Sequence, residues 1–267
     1  MTFNIVLAGP RGRMGRETIK MLTKNTSDFN LVACIDNKNG GKKLKDLDSE
    51  FFNLEIPIFE NPLQCFEKVN TNLFLDLSVT NASFNNSKIA LQNLIYTVVG
   101  VSGLEHEQIS QLAVEAEETQ TGCIIAPNFS IGAILMMQFS QKAAKYFPNV
   151  EIIEKHHDNK VDAPSGTLIN TIDLIKKVRE TITQGSPQES ENIIGARGGE
   201  VDGMRLHSVR LPGLVAQQEV MLGGSKQMLT IKHESFHRES FMEGIQLALK
   251  EVINLKTLVY GLDNFIE

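Results

Sequence analysis

Two kinds of hydrophobic pattern alternate along the first half of the chain. Short β-type runs occupy residues 2–8, 30–36, 72–78, 95–101 and 122–126. Between them lie longer stretches whose apolar positions recur at helical spacing, such as Thr18, Ile19, Met21 and Leu22, the stretch that follows residue 78 to about 94, and 105–118. Brief apolar runs bounded by turn residues read as buried strands, and the longer periodic stretches read as amphipathic helices. Strands alternating with helices imply a parallel sheet covered on both faces.

The pattern changes after a long, Met-rich apolar helix predicted over 131–146. Val150-Glu151-Ile152-Ile153-Glu154 reads as a strand, and a helix follows from Ser165 to about residue 181. A polar loop at 183–191 leads to three β-type runs, 205–211, 215–222 and 228–233, with turns at Gly213 and at Gly223-Gly224-Ser225. A closing helix is predicted over 239–259, with Phe241, Ile245, Leu249, Val252 and Leu255 on one side. The expected fold is α/β: an N-terminal Rossmann-type doubly wound parallel sheet, then a C-terminal α+β domain with a mixed or antiparallel sheet. The expected division is 1–127 with 240–267 for dinucleotide binding, the last helix packing back, and 128–239 for substrate and oligomerisation.

Composition narrows the classes. The 267 residues carry a formal net charge of −6 and are 42% hydrophobic and 22% charged, as in an ordinary globular protein. The acidic balance argues against a general nucleic-acid binder. No apolar run reaches the ~20 residues of a membrane helix. Cys34, Cys65 and Cys123 form no Cys-x-x-Cys and read as buried free thiols of a reducing compartment. The chain starts directly on a strand without a basic-plus-apolar leader, so a cytoplasmic location is expected.

Chemistry enters at two places. The first is Gly9-Pro10-Arg11-Gly12-Arg13-Met14-Gly15, between the first strand and the first helix. Small residues in such a turn let a pyrophosphate approach the helix N-terminus, so the βαβ unit is expected to bind a dinucleotide. Asp36, ending the second strand, is the expected ribose reader. Arg11, Arg13, Lys38, Lys42 and Lys43 could instead hold a 2′-phosphate; the balance favours NADH being accepted at least as well as NADPH. The turns at 78–80, 100–103 and 126–130 also fall at strand carboxyl ends and are expected to touch the cofactor.

The second place is residues 154–167, Glu-Lys-His-His-Asp-Asn-Lys-Val-Asp-Ala-Pro-Ser-Gly-Thr, on a strand-to-helix loop. Ser165 is a plausible N-cap, leaving the N–H groups of Ser165, Gly166 and Thr167 as a site for a carboxylate. His156, His157 and Lys160 beside it suggest acid–base work on a carboxylate-bearing substrate. No metal site is expected, because adjacent histidines on an extended segment point to opposite sides. Arg238, before the last helix, is a further functional candidate; the other four histidines read as structural or surface residues.

These segments together resemble the dihydrodipicolinate reductase family. The resemblance runs through 9–15, Gly100-Val101-Ser102-Gly103, 126–132, the 154–167 loop, 207–213 and Arg238-Glu239-Ser240-Phe241. It implies nicotinamide-dependent reduction of a cyclic dicarboxylate, 4-hydroxy-tetrahydrodipicolinate, with loss of water, in lysine and diaminopimelate biosynthesis. It implies His156 as proton donor with Lys160 as catalytic partner, and His157, Ser165, Gly166 and Thr167 on substrate. It implies NADH or NADPH against Gly9, Pro10, Arg11, Gly12, Arg13, Met14, Asp36, Gly100, Val101, Ser102, Ala126, Pro127, Asn128 and Phe129. The family also implies a homotetramer built through the second domain's sheet. Val79-Thr80 stands where some relatives carry Arg-Pro, and Asn37 where some carry Arg.

Overall fold

The protein, as a computed structural model, is described over residues 2–24 and 28–266. In chain order it forms β1 (Phe3–Ala8), α1 (Arg13–Leu22), β2 (Phe29–Ile35), β3 (Ile58–Phe59), α2 (Pro62–Lys68), β4 (Leu73–Asp76), α3 (Thr80–Gln92), β5 (Tyr96–Val99), α4 (His106–Glu118) and β6 (Cys123–Ile125). There follow α5 (Ile131–Ala144), β7 (Asn149–His156), α6 (Gly166–Lys176), β8 (Gly199–Val201), β9 (Met204–Arg210), β10 (Ala216–Gly224), β11 (Gln227–Ser235), α7 (Met242–Glu251) and β12 (Leu258–Tyr260). Two compact units result, 1–129 with 241–267, and 130–240.

In the first unit seven strands form one sheet in the order β12-β6-β5-β4-β1-β2-β3. Every ladder between its named strands is parallel. The strands are short and apolar because both faces are covered: Val6, Ala33, Phe74 and Ala90 have no exposed surface and share one core cluster. Leu91, Leu112, Ala116 and Cys123 do the same towards α3 and α4. Each large side chain so buried stabilises by about 1.5–3 kcal/mol. β1 pairs with β2 on one side and β4 on the other, so the chain reverses its progress across the sheet here. A ligand crevice opens at such a switch point, beyond the carboxyl ends of the strands. All three cysteines are buried free thiols, and burial pushes those of Cys65 and Cys123 up to about 12.

The second unit is a five-stranded mixed sheet, β11-β10-β7-β9-β8, in which only β7 and β9 run parallel. Alternation sets its two faces. Val150, Ile152 and Glu154 of β7 are buried together with Gln218, Val220 and Leu222 of β10 and Met204 and Leu206 of β9. The intervening positions of β7, Glu151, Ile153 and Lys155, are only half-buried. α5 and α6 pack against each other, and α5 lies on β10 and β11.

The closing helix differs from the periodicity. α7 ends at Glu251, a single 3-10 turn follows at Val252–Asn254, and β12 then adds to the sheet edge beside β6. Pairing overrides helical spacing here: the edge groups of β6 are satisfied by Thr257 O, which accepts from Cys123 N (3.1 Å), and by Gly261 N, which donates to Ile125 O (2.8 Å). β3 and β8 have two and three residues, too few to show a period.

Candidate functional site

The first unit places a cleft of about 380 Å³ at its switch point, lined by Gly9, Arg11, Gly12 and Asp36 together with Ser78 and Asn86. The glycines there differ in what they do. Gly9 has φ +83°, and a Cβ on it would come 2.5 Å from the Leu77 carbonyl oxygen. A Cβ on Gly15 would come 2.1 Å from the Gly9 carbonyl oxygen, so Gly15 lets α1 start tight against the turn. A Cβ on Gly12 would meet nothing nearer than 3.4 Å. Packing therefore does not require glycine at 12; its bare side is what a diphosphate needs to approach the α1 N-terminus, where no side chain caps the helix.

Asp36 is 7% exposed at the far side of that cleft. One carboxylate oxygen accepts from Lys38 N (2.9 Å) and Asn39 Nδ2 (3.1 Å), and the other from Arg11 Nε. Burial works against its charge, but these hydrogen bonds win and hold the carboxyl below its ordinary range. Of the cations expected nearby, Lys43 is bonded to Glu55 and Lys42 to Asn39 Oδ1 (3.1 Å), while Arg11 is drawn to Asp36 itself.

The other carboxyl-end turns are knit together. Thr80 Oγ1 donates to Ser102 O (2.9 Å), and a Cβ on Gly100 would strike the Phe129 ring at 2.5 Å. Val101 belongs to the core cluster and offers only its backbone to a ligand. Pro10, Ala126 and Phe129 are buried; Arg13, Ser102 and Pro127 are exposed, and Met14 and Asn128 half-buried. Among these residues Gly9, Arg11, Gly12 and Asp36 line the one cleft described above.

In the second unit β7 delivers His156 at its last position, and the polar loop follows. Lys160 N donates to His157 O (3.2 Å), which turns the chain back. Lys160 Nζ donates to Asp162 Oδ1 (2.6 Å), and this holds the Asp162 carboxyl low. Ser165 is the N-cap of α6, its hydroxyl accepting from Leu168 N (3.3 Å). The hydroxyl accepts in that cap bond, so its own O–H stays available to donate. A Cβ on Gly166 would meet nothing within 4 Å, so the first turn of α6 is bare on that side.

Two groups in this network stand outside the predicted site residues. Glu154 has no exposed surface and contacts His156 Nδ1 directly. Arg210, at the end of β9, grips the same carboxylate with both terminal nitrogens (2.9 and 2.8 Å). Its Nη2 also donates to Asp162 O (2.7 Å), which anchors the loop bearing Lys160. Burial opposes ionisation of Glu154, but the bonds from His156, Arg210 and Ser208 pull its carboxyl down to about 2. The sequence signal for Glu154 was a carboxylate in the inward register of a strand, where an apolar residue belongs. Arg210 lies fifty-six positions on and left no such signal.

The four histidines read as structural or surface residues have partners outside this network. His207 Nε2 lies 3.1 Å from Glu151, and His233 Nε2 lies 3.3 Å from Ser130 Oγ. His106 and His237 bond within their own turns. Arg238 starts a short 3-10 turn before α7.

Comparison with known proteins converges on one family. Its two profiles, described as "Dihydrodipicolinate reductase, N-terminus" and "Dihydrodipicolinate reductase, C-terminus", match residues 3–129 and 132–266. A 4-hydroxy-tetrahydrodipicolinate reductase of Oceanobacillus iheyensis is 52% identical over 266 residues, covering 100% of both chains. One of Bacillus thuringiensis is 50% identical over 263 residues, 98% of each chain. A dipicolinate-bound dihydrodipicolinate reductase from Paenisporosarcina superposes with a TM-score of 0.87 at 44% identity, covering 99% of both chains. A switch-point cleft of bare glycine backbone, a strand-end imidazole and profiles spanning both units thus meet in a single assignment: the chain belongs to the dihydrodipicolinate reductase family.

Proposed function

We propose that the protein catalyses the NAD(P)H-dependent reduction of 4-hydroxy-tetrahydrodipicolinate to tetrahydrodipicolinate, with loss of water, in lysine and diaminopimelate biosynthesis. The observation that carries this is the loop from β7 to α6, with an imidazole braced by a buried carboxylate, an ammonium four residues on, and an uncovered helix start. A cyclic dicarboxylate, the chemistry of the dipicolinate bound to the Paenisporosarcina relative, suits that set of groups.

A reduced nicotinamide held by the first unit would supply the hydride. The chain's own part is the proton and the charge. His156 gives a proton to the carbon next to the one reduced, and an imidazole can both carry that proton and be reloaded from solvent. Lys160 places a cation against the dianionic ring and can exchange Asp162 for a substrate carboxylate. His157 and the backbone N–H groups at Ser165, Gly166 and Thr167 receive a carboxylate. The cofactor takes Gly9 to Met14, Asp36, Gly100 to Ser102 and Ala126 to Phe129. NADH serves at least as well as NADPH, because Asp36 presents a carboxylate to the ribose hydroxyls and several neighbouring cations already have partners. The protein works as a cytoplasmic homotetramer associating through the second unit's sheet, where Met228 of β11 is 68% exposed. No helix among the described residues is long and apolar enough to cross a membrane.

The test is absorbance of reduced nicotinamide with substrate generated in situ by the preceding synthase from pyruvate and aspartate semialdehyde. Oxidation that depends on the synthase is expected with both NADH and NADPH. A protein that binds NADH but oxidises neither cofactor would end this reading.

A further inference from the structure

His156 does not stand alone, and its surroundings decide which of its two nitrogens can act. Its Nδ1 contacts Glu154 Oε2, two residues back on the same face of β7. Glu154 is fully buried, and a buried carboxylate stays charged only when cations and hydrogen bonds hold it so. Arg210 provides that hold from the neighbouring strand with a two-pronged grip, the pairing geometry in which Arg differs most from Lys. The register makes this possible: Glu154 lies opposite Ser208 and His156 opposite Arg210 in the β7–β9 ladder. On the other side Glu154 faces Gln218 of β10, whose Nε2 donates to Thr171 Oγ1 (2.7 Å) and not to the carboxylate. The charged groups of this network are therefore Glu154, Arg210, Lys160 and Asp162.

We propose that Glu154 is a positioning residue for the reaction: clamped by Arg210, it keeps a proton on His156 Nδ1, so that Nε2 is the nitrogen that delivers a proton to substrate and is left bare afterwards. This rests on His156 being the proton donor. With Arg210 and Ser208 also donating to it, the Glu154 carboxylate is held well below its ordinary range and acts as acceptor to the Nδ1 proton. The donor thus cycles between imidazolium and one neutral tautomer, and the ring does not have to turn between turnovers. The same Arg210 holds Asp162 O, so one guanidinium sets the orientation of the imidazole and the path of the loop carrying Lys160.

Glu154→Gln tests this in the full-length protein. The amide will point its oxygen at Arg210 and its NH₂ at His156 Nδ1, which favours the opposite tautomer. With synthase-generated substrate, kcat is expected to fall by about 100- to 1,000-fold, while the Kd values of NADH and dipicolinate stay within about threefold. Histidine-selective ¹⁵N spectra should show neutral His156 changing from Nδ1–H to Nε2–H. Wild-type kcat in Glu154→Gln overturns the inference, as does an unchanged tautomer with activity lost only in step with dipicolinate binding. Should Glu154→Gln fail to fold, Glu154→Asp keeps the charge but withdraws it by one methylene; a kcat reduced about tenfold with dipicolinate affinity retained is expected, and undiminished kcat overturns the inference. His156→Gln run in parallel separates the two readings. If His156→Gln retains turnover, His156 is not the donor and the proposed mechanism fails with it. If it loses turnover while Glu154→Gln does not, only the positioning role fails.

Discussion

Among the described residues, each unit hides one carboxylate completely. Asp76 ends β4 in the first, and Glu154 lies two residues from the end of β7 in the second; neither has exposed surface. They are driven in opposite directions. Asp76 meets only neutral donors, Ser78 N (2.8 Å) and Asn86 Nδ2 (3.3 Å), and burial pushes its carboxyl up. Glu154 meets Arg210 and His156, and its carboxyl is pulled down to about 2. Burial sets the penalty, and the charge of the neighbours decides whether the carboxylate survives it. The difference follows what each region does. Ser78 and Asn86, which hold Asp76, also line the cleft at the switch point, so Asp76 shapes a surface made of backbone and small residues. Glu154 instead holds His156, the proposed proton donor.

That division predicts that damage in the second unit appears in turnover and damage in the first in cofactor binding. His156→Gln is the strongest test: kcat should drop by about 100- to 10,000-fold with the NADH Kd within about twofold. An equal loss in NADH affinity would break the division. Next comes Arg210→Met, which strands a buried charge; destabilisation by about 3–5 kcal/mol is expected in urea melts at pH 7. The pH dependence has a definite sign. Because the Glu154 carboxyl lies below its ordinary value of 4.5, its stabilising contribution is complete above that pH and is lost as pH falls toward 2. Arg210→Met should reduce that acid-side loss, while the bonds from His156 and Ser208 keep part of it.

Asp36→Ser comes third. It should raise the NADH KM by about tenfold and the NADPH KM by less, with kcat for both nearly unchanged, because the acceptor lost is one that two free ribose hydroxyls use and a 2′-phosphate does not. Equal losses for both cofactors would show that Asp36 acts through Arg11 and the turn. The smallest effect belongs to Asp76→Asn. A raised carboxyl penalises the folded state once pH climbs above the ordinary value of 3.8, so an uncharged amide should leave the melting temperature at pH 7 unchanged or about 2–4 °C higher. A large destabilisation at pH 7 would mean that the ionised form is the one the turn at Ser78 requires.

Local chemistry was legible in the chain wherever neighbours in sequence are neighbours in space. The strand–helix alternation, the glycines at 9, 12 and 15, Asp36 at a strand end and the Ser165 cap each depend on residues within one turn or one strand. Periodicity and steric permission act over that range, so they can be read without coordinates. The closing strand β12 could not be, because helical spacing continued through residues that the edge of β6 recruits. Nor could the partner of Glu154. The 207–213 segment carried only a resemblance, which does not say what Arg210 holds; the parallel register of β7 and β9 puts His156 and Arg210 side by side and closes the grip on the carboxylate. The sequence by itself determined which groups this protein could bring to a reaction. Strand pairing across fifty-six residues decided which of them are charged, which way they point and what holds them there, because electrostatic energy depends on distances that only the folded sheet defines.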